Sequence, residues 1–173
     1  MVYAVAMDTW GLLVPDQITE TNALTYFARR GVAAQWRTFL RAMMETLESH
    51  LDAPGREGMM RLVGARMAAL MPLPACATLA ELETRINDAL AVVDWGYVQM
   101  SLDLNNRTMV LRHVAAPLVG THSDINGTWI GSVLEGLYAG WLGSQPGAEP
   151  SVPVRKWSPD GAALLLRYAK LPA

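Results

Sequence analysis

Hydrophobic residues recur every three or four positions through the first half of this 173-residue chain. That spacing is typical of amphipathic helices, whose apolar side chains share one face. It predicts helices over residues 19–31, 34–51, 59–71 and 79–93. In the third helix Arg61 lies opposite an apolar stripe that consists of Met59, Val63, Met67, Leu70 and Met71.

Turn and cap residues separate these helices. Asp52, Pro54 and Gly55 predict a turn before the third helix, and Pro72 ends that helix because proline cannot continue the hydrogen-bond ladder. Thr78 and Glu81 have the capping-box spacing that begins the fourth helix. We expect Gly96 to be the residue just past the C-terminal end of the fourth helix.

The hydrophobic period then changes to two, which is typical of a strand with one buried face. Residues 98–104 and 107–114 are predicted to form a hairpin through Asn105-Asn106, a pair that tolerates the positive φ of a tight turn. With that turn, Val98 lies opposite His113 and the apolar face is continuous across both strands. His113 is therefore expected to be a structural residue at the sheet core rather than a base.

The second half of the chain predicts one more helix and one more hairpin. Residues 128–142 form a glycine-rich apolar helix, and Val152 and Val154 suggest an edge strand because Pro153 lies between them. A turn over 158–161 precedes a last strand over 162–170. The fold class is α+β: N-terminal helices, an antiparallel four-stranded sheet from two hairpins, and a Gly-rich helix between the hairpins.

The length fits a single domain. We expect residues 1–20 to be an N-terminal extension, which can be read as a flexible arm, and residues 21–173 to form one domain. The N-terminus contains Asp8, Asp16 and Glu20 but no Lys or Arg in its first 28 residues, unlike a signal peptide. This favours a protein that stays in the cytoplasm.

Composition points to assembly. Hydrophobic residues make up 51% of the chain and charged residues only 17%, against about 25% in ordinary domains. A chain with few charged residues leaves apolar surface exposed to water, and burying part of that surface in an oligomer removes it from water. The 14 Lys and Arg are scattered, so nucleic acid is not an expected partner.

No catalytic or metal-binding motif appears, and no cofactor is expected. The single cysteine, Cys76, is more typical of a small packed side chain than of a nucleophile. Glu135 has two interpretations. It is either a buried carboxylate with a raised pKa or, as we favour, a residue on the solvent face or in an interfacial ion pair with one of the arginines.

One long stretch resembles the signature of the family formed by the D subunit of bacterial cellulose synthase, also called cellulose synthase operon protein D. It contains Asn126-Gly127-Thr128-Trp129, Val133-Leu134-Glu135-Gly136-Leu137-Tyr138, Trp141, Ser144-Gln145 and Gly147-Ala148. Upstream residues agree in order and near-identical spacing: Met71-Pro72-Leu73-Pro74, Cys76, Thr78, Leu82, Trp95-Gly96, His113, Pro117 and Val119-Gly120. One apparent extra residue between Pro74 and Cys76 and a longer N-terminus depart from the family pattern.

The resemblance implies a non-enzymatic accessory subunit of cellulose biosynthesis. The family forms ring-shaped octamers built from dimers, with passages proposed to guide glucan chains, or stacks them into a cytoplasmic scaffold with a proline-rich partner. Implied partners are further copies of the chain, the cellulose synthase complex, a proline-rich accessory protein and β-1,4-glucan chains. A periplasmic location has also been described for the family. The alternatives are a passage with direct sugar contacts and an unrecognised glycan-active enzyme.

Two groups of residues are candidates for these contacts. Tyr26, Trp36 and Trp129 are candidate contacts for glucan or a partner, because aromatic rings suit sugar rings and prolines. The candidates for the oligomer interface are Gly136, Tyr138, Gly140 and Trp141. Glycines four residues apart share one face of a helix and mark a close approach by another element.

Overall fold

The computed structural model describes residues 31–104, 107–149, 152–160 and 163–170, together with Ala23 and Phe27. Ala23 and Phe27 are helical, and the rest of the helix predicted from residue 19 lies outside the described residues, as do Tyr26, the extension 1–20 and the Asn105-Asn106 turn. Within the described chain the helices are α1 (Ala34–His50), α2 (Ala53–Leu70), α3 (Leu79–Val92) and α4 (Ile130–Gly143).

The start of α2 corrects the expected turn. Asp52 is the N-cap, its side chain accepts a hydrogen bond from the backbone N–H of Gly55 at 2.9 Å, and Pro54 lies in the first turn. Proline is tolerated there because the first N–H groups of a helix have no partner within it. The residues expected to form a turn therefore form the first turn of the helix.

The α3 helix begins as predicted and ends differently. The Glu81 N–H donates to the Thr78 hydroxyl at 3.1 Å, and the Glu81 carboxylate accepts from the Ala77 N–H at 2.9 Å. At the other end, Asp94 takes the left-handed conformation with φ of 54° directly after the C-cap. Gly96, also at positive φ, lies two residues further on, where it packs against the Val114 carbonyl.

In the described part of the chain the sheet has four antiparallel strands in the order β1-β2-β4-β3. Their bounds are β1 Tyr97–Asp103, β2 Thr108–Val114, β3 Val154–Asp160 and β4 Ala163–Tyr168. The predicted pairing of Val98 with His113 is confirmed, and β3 is an edge strand as Pro153 suggested. The turn predicted over 158–161 is wrong, because residues 158–160 belong to β3 after an irregularity between Lys156 and Ser158.

The Gly-rich helix α4 lies at the centre of the molecule. It packs along α2 and also contacts β3 and β4, while α3 packs on β1. The core residues less than 2% exposed include Ile86, Leu90, Val98, Leu111, Leu134, Leu137, Tyr138, Trp141 and Leu166. The α+β class is confirmed, with α4 between the two hairpins in chain order.

The burial of the α2 side chains differs from the prediction that the apolar residues of this helix lie on one side. Met60, Gly64 and Ala68 face the core, whereas Met59 and Leu70, which belong to the predicted stripe, are 43% and 67% exposed. The helix is therefore apolar on both its inner and its outer face.

Candidate functional site

The backbones of α2 and α4 touch through glycine. A Cβ added to Gly136 would overlap the carbonyl oxygen of Arg61, and one added to Gly64 would overlap the carbonyl oxygen of Val133. A Cβ on Gly140 would lie 2.6 Å from the Cβ of Ala68. The close approach indicated by the glycine spacing is thus made by a helix of the same chain. An oligomer interface at these glycines stays a prediction.

The two aromatic residues of the same predicted interface lie inside the protein. Trp141 is 1% exposed, and its indole N–H donates to the Met71 carbonyl at 2.8 Å. Tyr138 is fully buried and its hydroxyl hydrogen-bonds Nδ1 of His113. Burial also raises the pKa of Tyr138 well above its usual value. Both side chains fasten α4 to neighbouring elements of its own chain.

His113 is held in one neutral form. Its Nε2 lies 2.9 Å from the Trp95 carbonyl oxygen, which can only accept, so Nε2 carries the proton and Nδ1 accepts from Tyr138. Complete burial lowers the pKa of His113 from 6.5 to about 4, because a charged imidazolium would lose its hydration. The prediction that this histidine is a structural residue at the sheet core agrees with this environment.

The buried His113 predicts a loss of stability in acid. The unfolded chain binds a proton near pH 6.5 and the folded chain only near pH 4, so the contribution is full above 6.5 and is lost as the pH falls through this window. The loss is about 3 kcal/mol, at 1.36 kcal/mol per pKa unit. Urea unfolding at pH 7 and pH 4 measures it. In a His113→Gln variant the pH dependence should shrink by that amount, and an unchanged dependence would contradict the assignment.

A second polar cluster surrounds Glu135, which is 2% exposed. One carboxylate oxygen pairs with Nη1 of Arg61 at 3.0 Å, and the other accepts the backbone N–H of Lys156 at 2.7 Å. The Lys156 ammonium donates to Ser132 at 3.0 Å and to Glu57 at 3.2 Å, and Glu57 also lies 3.4 Å from Arg61. These contacts tie α2, α4 and β3 together.

The Glu135 cluster suits a structural role. Placing Glu135 on the solvent face was wrong, and its ion pair with an arginine is made to Arg61 of the same chain rather than across an interface. The hydrogen bond from Arg61 to Glu135 raises the pKa of Arg61, and the hydrogen bond from Lys156 lowers the pKa of Glu57. The charged forms of Arg61 and Glu57 are thus favoured by their partners. Both Glu135 oxygens are engaged, so neither is presented to a substrate.

The outer edge of β1 is closed by two side chains that sequence reasoning missed. Asn87 accepts from the Val98 N–H at 2.7 Å and donates to the Val98 carbonyl at 2.9 Å, as a neighbouring strand would. Glu83 accepts the Met100 N–H. The sequence feature that could have identified these two residues is a pair of polar residues four apart on the helix that precedes an edge strand. Edge strands need such protection because their outer N–H and C=O groups are otherwise unpaired.

Trp36 and Trp129, two of the candidate contact residues from the sequence, lie at the same groove. Both line a groove of about 330 Å³ between α1, α2 and the body of the protein, together with Leu40, Met43, Met60, Val63, Met67 and Val133. Trp36 is 55% exposed and packs edge to face on Phe39. Trp129 donates its indole N–H to the Val119 carbonyl at 2.8 Å. The lining of this α1–α2 groove suits apolar side chains better than sugar hydroxyls.

Among the described residues, no three His, Cys, Asp or Glu side chains cluster as a metal site would require. Every buried side-chain nitrogen and oxygen in the same part of the chain has a hydrogen-bond partner. Nor does any described helix have the length and apolarity needed to cross a bilayer. The fold and its contacts define a small α+β protein whose buried polar groups hold the structure together and whose helices α1 and α2 expose several large apolar side chains.

Comparison with known proteins gives the family. A family model for the D subunit of cellulose synthase matches residues 22–169, so the chain belongs to that family and the resemblance seen in the sequence is confirmed. A cellulose synthase operon protein D of Komagataeibacter xylinus is 36% identical over 110 residues, 64% of this chain and 70% of that protein. One of Komagataeibacter sucrofermentans is 37% identical over the same shares. Membership supports a role in cellulose biosynthesis.

Proposed function

We propose that the protein is a non-catalytic accessory subunit that associates with the cellulose synthase complex as a ring-shaped homo-oligomer, an octamer. The ring organises synthase complexes and guides β-1,4-glucan chains so that they crystallise, with a proline-rich accessory protein as a further partner. Family membership supports the pathway. The proposed location is the cytoplasm, with the periplasm as the alternative.

One observation carries the assembly part of this proposal. Large apolar side chains are exposed on the helices, among them Leu62 at 72% and Leu70 at 67%. Contiguous exposed apolar surface marks sites of protein contact in globular proteins. The non-catalytic part is supported by the Glu135 cluster and by His113, whose polar atoms are bonded within the chain.

A cellulose-producing bacterium from which the gene is deleted and then restored tests the function. The deletion should lower the crystallinity of the cellulose, measured by X-ray diffraction, while synthase activity of isolated membranes stays unchanged. If membranes from the deletion strain also lost synthase activity, that result would contradict an accessory role. Cell fractionation tests the location, since a cleaved periplasmic form would overturn the cytoplasmic proposal. Light scattering should give eight times the 18.9 kDa of one chain.

A further inference from the structure

The sheet has one face on the helices and an outer face on the opposite side. Successive residues of a strand point to opposite faces. Val98, Leu111 and Leu166 point to the side of α3 and α4 and are fully buried. On the outer face, Gln99 of β1 and Arg167 of β4 are exposed. The outer face of the sheet is therefore open to solvent or to another molecule.

Three arginines occupy this outer face, one on each of three neighbouring strands. They are Arg112 on β2, Arg167 on β4 and Arg155 on β3. Arg155 lies directly opposite Arg167, and Arg112 lies opposite Leu165, two positions from Arg167. Directly opposite Cβ atoms are about 4.5–5.5 Å apart and diagonal neighbours about 7–8 Å. The arginines thus form a row across the sheet, and we call them, together with Trp157, the arginine face.

The pair of Arg155 and Arg167 places two like charges together. Within the described residues neither makes a salt bridge: Arg155 donates to a backbone carbonyl of its own strand at 3.0 Å, and the Arg167 guanidinium lies 3.6 Å from the centre of the Trp157 ring. The four described strands contain two acidic residues, Asp103 and Asp160, and strand spacing places both backbones roughly 12 Å or more from that of Arg167. Like charges directly opposite each other destabilise a sheet, so a bound anion would relieve this pair.

Trp157 positions the guanidinium of Arg167. The irregularity in β3 between Lys156 and Ser158 adds one residue, and such a bulge redirects a side chain. Trp157 is 50% exposed, and its ring attracts the cation that lies over it. A guanidinium that stacks through its face keeps the N–H donors at its edge for a planar anion such as a carboxylate. The same contact covers the ring where a sugar would have to stack.

The arrangement favours an extended acidic peptide over other anions. Exposed arginines bind a single small anion weakly, because water and salt screen the charges. Alternate side chains of an extended peptide are roughly 6.6 Å apart, which lies within the range of spacings along the arginine row. A membrane surface is recognised by clusters of about 4–8 basic residues, more than this face supplies.

We propose that the arginine face is the docking site for an acidic, extended segment of a partner protein. Carboxylates at alternate positions of that segment pair with Arg112, Arg167 and Arg155. The attraction is local, since the whole chain has a net charge of −2. The contact is independent of the proposed ring and of any glucan.

A labelled ten-residue peptide that alternates glutamate and threonine tests this site by fluorescence anisotropy with the full-length protein. The wild type should bind it, and Arg155→Gln combined with Arg167→Gln should weaken binding about tenfold, because each exposed ion pair contributes a few-fold. The matched control, Arg41→Gln combined with Arg85→Gln, removes the same charge from side chains that are 55% and 49% exposed. It should keep the wild-type affinity within about twofold. A peptide with glutamine in place of glutamate should not bind.

Arg155→Gln alone separates docking from a structural role. Removing one of two facing like charges should leave the melting temperature unchanged or raise it, while the peptide affinity falls. A lower melting temperature with an unchanged affinity would overturn the docking site. This single variant also decides the question if the double variant loses its circular dichroism signal.

The remaining outcomes separate this site from other uses of the face. Absence of peptide binding by the wild type, or equal weakening in the control, overturns the proposal. It is also overturned if phosphatidylserine vesicles bind the wild type more tightly than the peptide does, since the face would then contact a membrane. If the double variant has a lower mass in light scattering, the face joins copies of the chain instead. A wild-type monomer that binds the peptide overturns the proposed ring alone.

Discussion

Replacing Gly136 with alanine is expected to lower the free energy of unfolding by about 3 kcal/mol or more. The new Cβ would overlap the backbone carbonyl of Arg61, and the backbone N of Ala65 lies beside it. Backbone atoms cannot turn aside as a flexible side chain can, so α2 and α4 must move apart. Overpacking of a tight contact costs about 1–3 kcal/mol, and more where the neighbour cannot yield.

The matched control for Gly136→Ala is Gly143→Ala in the same helix. Nothing lies within 4 Å of the position that a Cβ on Gly143 would take. Alanine is the better helix former, so this change should stabilise by up to about 1 kcal/mol. Urea unfolding followed by circular dichroism, at equal protein concentration, compares the two variants. If both variants were equally stable, the contact between α2 and α4 would have room for the Cβ of an alanine at position 136.

The second large effect is expected for Glu135→Gln, at about 3 kcal/mol of lost stability. The amide keeps the shape and can still accept the Lys156 N–H, but it leaves the Arg61 guanidinium without its buried counter-charge. Breaking a buried ion pair on one side costs about 3–5 kcal/mol. The low end applies here because the Arg61 side chain is 31% exposed and partly hydrated.

Asp88→Asn provides the control for Glu135→Gln. Asp88 pairs with Arg85 at 3.9 Å on the surface of α3, where both side chains are about half exposed or more. Removing this charge should change the stability by less than about 0.5 kcal/mol. Unfolding curves of the two variants at pH 7 make the comparison. Similar small effects in both would mean that the Glu135 cluster contributes no more than a surface ion pair.

Much of the fold could be predicted from patterns of residues close together in the sequence. The capping box at Thr78, the stop before Pro72 and the register that pairs Val98 with His113 all depend on residues close in sequence. Turn geometry and side-chain periodicity act within a few residues, so they can be read before any packing is known. The boundaries that failed, at Asp52 and at residues 158–160, lie where a turn-forming sequence is also compatible with the end of a helix or strand.

The candidate site was predictable only in part. Trp36 and Trp129 were identified as single aromatic residues, but their meeting in one groove depends on how α1 lies against the body of the protein. The glycines of α4 indicated a close approach without identifying the neighbour. The structure makes that neighbour α2, through Arg61 and Ala68. Spacing along one helix says which residues share a face, but not what the face touches.

Periodicity, capping and composition were sufficient for the α+β class, the hairpin and the family resemblance, because each depends on local order along the chain. Tertiary packing was needed to show that Glu135 is buried against Arg61, 74 positions away, and that Leu62 and Leu70 are left outside. An apolar stripe satisfies the hydrophobic effect equally well against the core or against another molecule. On α2, Gly64 and Arg61 lie on the face that turns inward, where Gly64 allows backbone contact with α4 and Arg61 pairs with Glu135.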